Sequence, residues 1–143
     1  MRASARELSR ASVRIAASSL APPVVTYLVA ERTWLLEEAY AYQDGPTRIL
    51  IPAGFKFDLA SVPRLLWSLI APFDLSIAAP LLHDFLYRYA GRPPAGSVVP
   101  TRAYTRAQSD SLFERVMEEE GVPAWRRALA YRAVRLFAQA DWG

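Results

Sequence analysis

The amino-acid sequence predicts an α+β fold, in which a small antiparallel N-terminal sheet is followed by a bundle of three to four helices. Two observations support this prediction. Residues 24–51 are rich in β-branched and aromatic residues, as is usual in strands. From Asp58 onward, apolar residues recur at intervals of three and four, as they do on one face of a helix. The chain has 143 residues, 52% of them hydrophobic, which is enough for one domain with a buried core.

Residues 1–21 are predicted to be a flexible basic tail, and residues 22–143 to form a single α+β domain. The tail lacks the apolar stretch and the cleavage site of a secretory signal. Its charge comes from four arginines: Arg2, Arg6, Arg10 and Arg14. A weak apolar stripe leaves open a short helix that becomes ordered only against a partner. The stripe consists of Leu8, Ala11 and Ile15.

Three strands are predicted after the tail, over residues 24–30, 33–42 and 47–51. The sequence Asp44-Gly45-Pro46 is a turn signal between the second strand and the third. Pro52 ends the third strand. Three such strands can form a small antiparallel sheet.

Four helices are predicted beyond the sheet. They cover residues 64–70, a span from near Asp74 or Ser76 to about residue 90, and residues 105–120 and 123–140. Pro80 lies inside the second helix, which therefore starts there or is kinked there. The last helix is predicted to be amphipathic through Leu129, Val134, Leu136 and Phe137. The loop between the second and third helices, residues 91–100, is rich in proline and is predicted to be mobile or to face a substrate.

The only histidine of the chain, His83, lies at the edge of the apolar face of the second predicted helix. Tyr87 and Asp84 follow on the same flank. Asp110 is in line with the apolar stripe of the third helix, where a buried carboxylate needs a partner. If the two helices pack antiparallel, Asp110 can orient one ring nitrogen of His83 while the other ring nitrogen faces a water molecule. The pattern therefore predicts His83 as a general base.

Asp84 and Asp58 are predicted ligands of a hard divalent cation, together with backbone carbonyls. Such an ion would polarise a carbonyl group and stabilise an oxyanion. The chain contains no cysteine, which excludes disulfides, thiolate-bound zinc and a cysteine nucleophile.

The same residues also have structural interpretations. His83 can bridge a packed helix pair without any chemistry, and Tyr87 can belong to the core. Asp84 can pair with Arg88 four residues later on the same helix. Asp58 can neutralise a helix N-terminus or pair with Arg64.

The local pattern His83-Asp84-x-x-Tyr87, with Asp110 on the following helix, resembles the catalytic helix pair of secreted and viral phospholipases A2. This resemblance implies that His83 activates water and that Asp84 holds calcium. It also implies that Tyr87 and Asp110 support the histidine. The Gly-x-Gly calcium loop of those enzymes is missing, and Gly54 is the only nearby glycine.

A longer series of motifs spans about ninety residues. It consists of Pro52-Ala53-Gly54-Phe55, Asp58-Leu59-Ala60-Ser61-Val62-Pro63-Arg64, Leu82-His83-Asp84 with Leu86-Tyr87, Ser109-Asp110 with Phe113, and Gly121-Val122-Pro123 with Trp125. This series is similar to a family of unknown function found in tailed bacteriophages and prophages. The resemblance implies a phage or prophage setting and no established activity.

Charge and hydropathy narrow the expected partners. The net charge is +3, but the arginines are scattered between acidic runs, so nucleic-acid binding is not expected. No segment has the roughly eighteen continuous apolar residues that a transmembrane helix requires. We expect a soluble protein in a phage virion or in the host cytoplasm, with phage structural proteins, an envelope lipid or a small ester as partners.

Two hypotheses follow from the sequence. The first is a hydrolase with a His83–Asp110 dyad that cleaves an ester or an amide at the cell envelope. The alternative is a non-catalytic virion or tail-assembly component, in which the same polar cluster locks the helices together.

Overall fold

The computed structural model describes residues 21–58 and 77–143. Most of the predicted N-terminal tail and the short helix predicted for residues 64–70 lie outside these ranges. In the described residues, six strands form two antiparallel sheets, and three α-helices lie beyond residue 77. The predicted α+β class is confirmed.

The two sheets have three strands each. The first has the order β1 (Val25–Leu28), β2 (Thr33–Leu36), β5 (Lys56–Phe57). The second has the order β3 (Tyr40–Asp44), β4 (Thr47–Ile51), β6 (Val98–Val99). The helices are α1 (Ala78–Arg88), α2 (Arg106–Glu119) and α3 (Ala124–Phe137), followed by a 3-10 helix at Gln139–Asp141.

The strand predicted for residues 33–42 is two strands in different sheets. Leu36 ends β2 with a fully buried side chain, whereas Glu37 and Glu38 are exposed and Tyr40 begins β3. β2 pairs with β1 and β5, while β3 pairs with β4. The chain leaves the first sheet at the two glutamates because their charges need solvent, and it enters the second sheet beyond them.

The turn between β3 and β4 forms as predicted. Asp44 pairs with Thr47 across two residues, and Gly45 has a φ of 57°, a conformation that glycine adopts without steric cost. Side chains of β3 alternate between the core and solvent, so that Tyr40, Tyr42 and Asp44 are buried. The hairpin therefore turns a carboxylate toward the helices.

Strand β6 was not predicted. Ile49 pairs with Val98, and the Leu50 N–H donates to the Ser97 carbonyl at 2.7 Å. The loop over residues 91–100 was expected to be mobile or to face a substrate. The C-terminal part of this loop is instead paired with the second sheet.

Helix α1 begins at Ala78, close to the start at Pro80 that was one of the two interpretations of this proline. Pro80 lies in the first turn of the helix, where a missing N–H leaves no helical hydrogen bond unmade. Of residues 78–87, only Asp84 is not fully buried. Phe85 meets Phe55 edge to face at 5.2 Å between ring centroids, which joins α1 to the residue that precedes β5. Because α1 is central, its polar residues must find partners inside the protein.

Helix α2 begins where it was predicted to begin. The Thr105 hydroxyl accepts from the Gln108 N–H at 3.0 Å, and the Gln108 side chain accepts from the Thr105 N–H at 2.9 Å. This reciprocal capping box satisfies two backbone donors at the helix start.

The predicted apolar face of α3 is wrong in three of its four residues. Val134 is buried, but Leu129, Leu136 and Phe137 are exposed. The helix packs inward through small side chains instead, at Ala130, Ala133 and Val134. In the described ranges, no helix is both long and apolar enough to cross a membrane.

Candidate functional site

Asp110 is the centre of a buried hydrogen-bond network that joins all three described α-helices. Its Oδ1 accepts from Nε2 of His83 at 2.7 Å and from the hydroxyl of Tyr87 at 2.6 Å, both on α1. Its Oδ2 accepts from Nη1 of Arg135 on α3 at 2.7 Å. We call these four residues the Asp110 network. The structure thus brings the three predicted residues His83, Tyr87 and Asp110 into direct contact.

Helix geometry explains why α1 presents both donors to one carboxylate. His83 and Tyr87 are four residues apart, so their side chains lie one above the other on the same face. Their ring centroids are 4.1 Å apart, and the imidazole also contacts Phe113 of α2 at 4.8 Å. These ring contacts fix the plane of the imidazole against Asp110.

The charge states within the network follow from burial and hydrogen bonding. Burial alone would raise the pKa of Asp110, but hydrogen bonds from His83, Tyr87 and Arg135 outweigh it and hold that pKa below its ordinary value. Burial lowers the pKa of His83, and this effect exceeds the opposing effect of Asp110. Near neutral pH the network therefore contains an ionised Asp110 and a neutral His83.

The neutral state of His83 determines its tautomer. An ionised carboxylate only accepts hydrogen bonds, so Nε2 of His83 carries the hydrogen that Asp110 accepts. The lone pair of the imidazole is then on Nδ1. Burial also raises the pKa of Tyr87, which keeps its phenol protonated as a donor. The arrangement is that of a base held in one tautomer by a carboxylate.

Asp84 lies outside this network. Its Oδ2 pairs with Nη2 of Arg88 at 3.0 Å, the i,i+4 pair that the sequence allowed. Burial raises the pKa of Asp84 to about 7, against the effect of Arg88, and the nearby Asp58 carboxylate raises it further. The backbone of Asp58 also hydrogen-bonds to this carboxyl group. Asp84 and Asp58 are therefore neighbours, as the predicted cation site requires.

A metal site is not evident from the described side chains. Residues 21–58 and 77–143 contain no group of three or more histidine, cysteine, aspartate or glutamate side chains placed to hold a metal ion. Asp84 and Asp58 could supply two oxygen ligands, so calcium at this pair stays a prediction.

Arg135 is the member of the Asp110 network that sequence reasoning missed. A buried aspartate indicated that a partner was needed, and the last helix offered four arginines. Which of them faces inward depends on the rotation of α3 about its axis. Arg106 of α2 holds the C-terminal end of α3. Its Nη2 donates to the carbonyls of Val134 at 2.9 Å and Arg135 at 2.7 Å.

A second carboxylate cluster lies at the end of β3. Asp44 accepts from the hydroxyl of Tyr104 at 2.8 Å and from Nη1 of Arg115 at 2.9 Å. We call these three residues the Asp44 cluster. They border an open cavity of about 410 Å³, also lined by Gly45, Pro46, Arg102, Ala107, Gln108 and Ser111. The Asp44 cluster ties the β3–β4 hairpin to α2.

Access to the two carboxylate clusters differs. The Asp44 cluster borders the open cavity, whereas that cavity and a smaller one of about 240 Å³, both lined by described residues, include no member of the Asp110 network. His83 is 3% exposed and Asp110 is 0% exposed.

Comparisons with known proteins place the chain among proteins without a known activity. A family model described as "Protein of unknown function (DUF1353)" matches residues 34–134. The uncharacterized protein y4jT of Sinorhizobium fredii is 29% identical over 94 residues, which are 64% of this chain and 24% of that protein. The chain thus spans about a quarter of the length of this relative. No solved structure matches the chain.

Proposed function

The chain belongs to the DUF1353 family of proteins of unknown function, and we propose that it is a hydrolase in which His83 acts as a general base oriented by Asp110. The observation that carries this proposal is the bond of 2.7 Å between Nε2 of His83 and Oδ1 of Asp110. It leaves the lone pair of the imidazole on Nδ1, the nitrogen that Asp110 does not contact. The matched residues include His83, Tyr87 and Asp110.

The proposed reaction is the hydrolysis of an ester or an amide. Nδ1 of His83 removes a proton from water as the water oxygen attacks the carbonyl carbon. The Asp110 carboxylate stabilises the imidazolium ion that forms, and Tyr87 and Arg135 keep the carboxylate in position. The tetrahedral intermediate then collapses, and Nδ1 returns the proton to the leaving oxygen or nitrogen.

The burial of His83 adds one requirement to this proposal. With 3% of its surface exposed, His83 meets a substrate only after the packing around it opens. A histidine with a lowered pKa suits this role, because it is already unprotonated when the substrate arrives.

The proposal includes calcium as the electrophile and a phage or prophage setting. Asp84 and Asp58 would hold the ion, and binding would have to replace the pair of Asp84 with Arg88. The ion would polarise the carbonyl that is attacked. The phage setting, in a virion or in the host cytoplasm, is supported by the motif series that includes Leu82-His83-Asp84 and Gly121-Val122-Pro123.

A second candidate function is supported by the completeness of the Asp110 network. Both carboxylate oxygens have donors, and these donors come from two different helices. Such a network joins helices α1, α2 and α3 whether or not it reacts. In this alternative the protein is a non-catalytic virion or tail-assembly component, and the network is a structural lock.

Replacing His83 by Ala distinguishes the two functions. The full chain is assayed against soluble nitrophenyl esters and phospholipids, and folding is followed by circular dichroism. The control variant is Tyr104→Phe, which removes a similar buried bond to a carboxylate at the Asp44 cluster. We expect His83→Ala to lose hydrolysis while folded and Tyr104→Phe to keep it. A wild-type chain that hydrolyses none of these substrates would leave the structural lock as the better account.

A further inference from the structure

Helix α3 has an inverted pattern of burial. Its small side chains Ala130 and Ala133 are buried, whereas large apolar side chains are directed to solvent. Trp125 is 57% exposed and Leu136 is 73% exposed. Soluble proteins usually bury such side chains, so a cluster of them on one element indicates an interaction surface.

Three of these residues form a stripe along the helix. At about 100° per residue, Trp125, Leu129 and Leu136 fall within an arc of about 40°, and Arg132 borders it. The stripe extends over about 16 Å of helix. We call Trp125, Leu129, Arg132 and Leu136 the α3 stripe.

The charge on helix α3 itself has one sign. Residues 124–137 contain four arginines and no acidic residue. Two of the arginines are used inside the protein, since Arg135 binds Asp110 and Arg127 donates to the Val122 carbonyl at 2.9 Å. Arg132 is exposed, and the Arg126 guanidinium lies 5.2 Å from the centroid of the Trp125 ring. The stripe is therefore apolar with a basic border.

This charge argues against an occupant from the same chain. A second copy that docked α3 on α3 would place arginines against arginines. The N-terminal segment, with Arg2, Arg6, Arg10 and Arg14, has the same sign. An occupant with a negatively charged surface is complementary to the stripe and its border.

We propose that the α3 stripe binds the protein to an anionic phospholipid surface. Trp125 and Leu136 would enter the boundary between headgroups and acyl chains, and Arg132 would face the lipid phosphates. The choice of a lipid over an acidic protein rests on the proposed function, because a hydrolase of envelope esters works where its substrate is held. The surface itself rests on exposure and charge alone.

Vesicle sedimentation with the full chain tests this inference. Vesicles of phosphatidylglycerol and phosphatidylcholine should bind the protein, and vesicles of phosphatidylcholine alone should bind it much less. Trp125→Ala should weaken binding about tenfold through the lost apolar burial. Arg132→Gln should weaken binding about fivefold, and added salt should reduce what remains.

The control variants lie outside helix α3. Val29→Ser removes an apolar side chain that is 77% exposed, and Arg92→Gln removes an exposed arginine. Both should bind the anionic vesicles as the wild type does. Equal losses in the control variants and the α3 variants would overturn the inference. Binding to polyglutamate without binding to anionic vesicles would overturn it in favour of an acidic polypeptide.

The same preparations separate this inference from the proposed function. Hydrolysis of a soluble ester does not require a lipid surface, so Trp125→Ala should keep it. If the chain binds anionic vesicles through Trp125 but hydrolyses none of the substrates, the lipid-binding inference is supported and the proposed hydrolase function is rejected. If the chain hydrolyses the soluble ester but does not bind these vesicles, the lipid-binding inference is rejected and the proposed hydrolase function is not.

Discussion

The Asp110 network and the Asp44 cluster have the same basic design. In each, an aspartate accepts a hydrogen bond from a tyrosine hydroxyl and another from an arginine. Two differences separate them. Asp110 also accepts a hydrogen bond from a histidine, and Asp44 borders the open cavity of about 410 Å³, whose lining among the described residues includes no member of the Asp110 network.

This difference shows which part of the Asp110 network needs explanation. A tyrosine and an arginine are enough to hold an aspartate between structural elements, as the Asp44 cluster demonstrates. His83 is the group that has no counterpart in the Asp44 cluster. Its place between Tyr87 and Phe113, with Nε2 on Asp110, is the reason to consider chemistry there.

Removing the central aspartate of each cluster should have the largest effect, and this effect is on stability. Asp110→Ala leaves the buried donors of His83 and Tyr87 without their acceptor and removes the partner of Arg135, which is 35% exposed, so it should reduce the free energy of unfolding by about 3–5 kcal/mol. Asp44→Ala should cost only about 1–2 kcal/mol, because Arg115 is 53% exposed and can be solvated. Urea unfolding of both variants measures the two values. Equal losses of unfolding free energy in the two variants would mean that the deeper burial of Asp110 does not make its network more important for stability than the Asp44 cluster.

The next effect concerns the tyrosines. Tyr87→Phe should reduce the free energy of unfolding by about 1–3 kcal/mol, as for a buried hydrogen bond to a charged group. Tyr104→Phe should cost a similar amount, since it removes the equivalent bond to Asp44. Only Tyr87→Phe should also slow ester hydrolysis. A Tyr104→Phe variant that slowed hydrolysis as much would remove the functional distinction between the clusters.

A smaller effect concerns pH. The pKa of His83 is lower in the folded protein than in the unfolded chain, because burial disfavours the imidazolium ion. The contribution of neutral His83 to stability is therefore full above about pH 6.5 and is lost as the pH falls below that value. The stability advantage of the wild type over His83→Asn should shrink between about pH 7 and about pH 5.

The comparison with His83→Asn matters because Asp84 has the opposite dependence. Burial raises the pKa of Asp84 to about 7, so its contribution favours folding at low pH and is lost as the pH rises toward that value. Asp84 is present in both chains, so its contribution cancels in the difference. An advantage of the wild type that stays constant or grows on acidification would contradict the assigned neutral state of His83.

The smallest expected effect is that of calcium. At a calcium concentration equal to its dissociation constant, in the millimolar range, the Tm should rise by about 1 °C. Asp84→Asn should remove this increase, and Asp44→Asn should keep it. An unchanged Tm of the wild type at millimolar calcium would remove the electrophile from the proposed reaction.

The contact between His83 and Asp110 could be predicted from the sequence because it depends on local geometry. Helical periodicity placed His83 beside one apolar face and Asp110 within another, and two packed helices bring such faces together. The capping box at Thr105 and the turn at Gly45 depend on neighbouring residues in the same way.

Features that depend on distant packing could not be predicted. The contact of Arg135 with Asp110 requires the rotation of α3, and the exposure of Leu136 follows from the same rotation. The sequence prediction assigned Leu136 to the buried face of the helix from its hydrophobicity alone. The two-residue strand β6 exists because β4 offers it a partner, which the local sequence at Val98 does not indicate.

The most direct test of the central claim is the rescue of His83→Ala by imidazole. Without imidazole, the variant should hydrolyse an ester about 10²–10⁴ times more slowly than the wild type. Added imidazole should bind in the vacated space against Asp110 and restore part of the rate, because it supplies the missing base. Hydrolysis at the wild-type rate by His83→Ala, in the absence of imidazole, would contradict the role of His83 as the base.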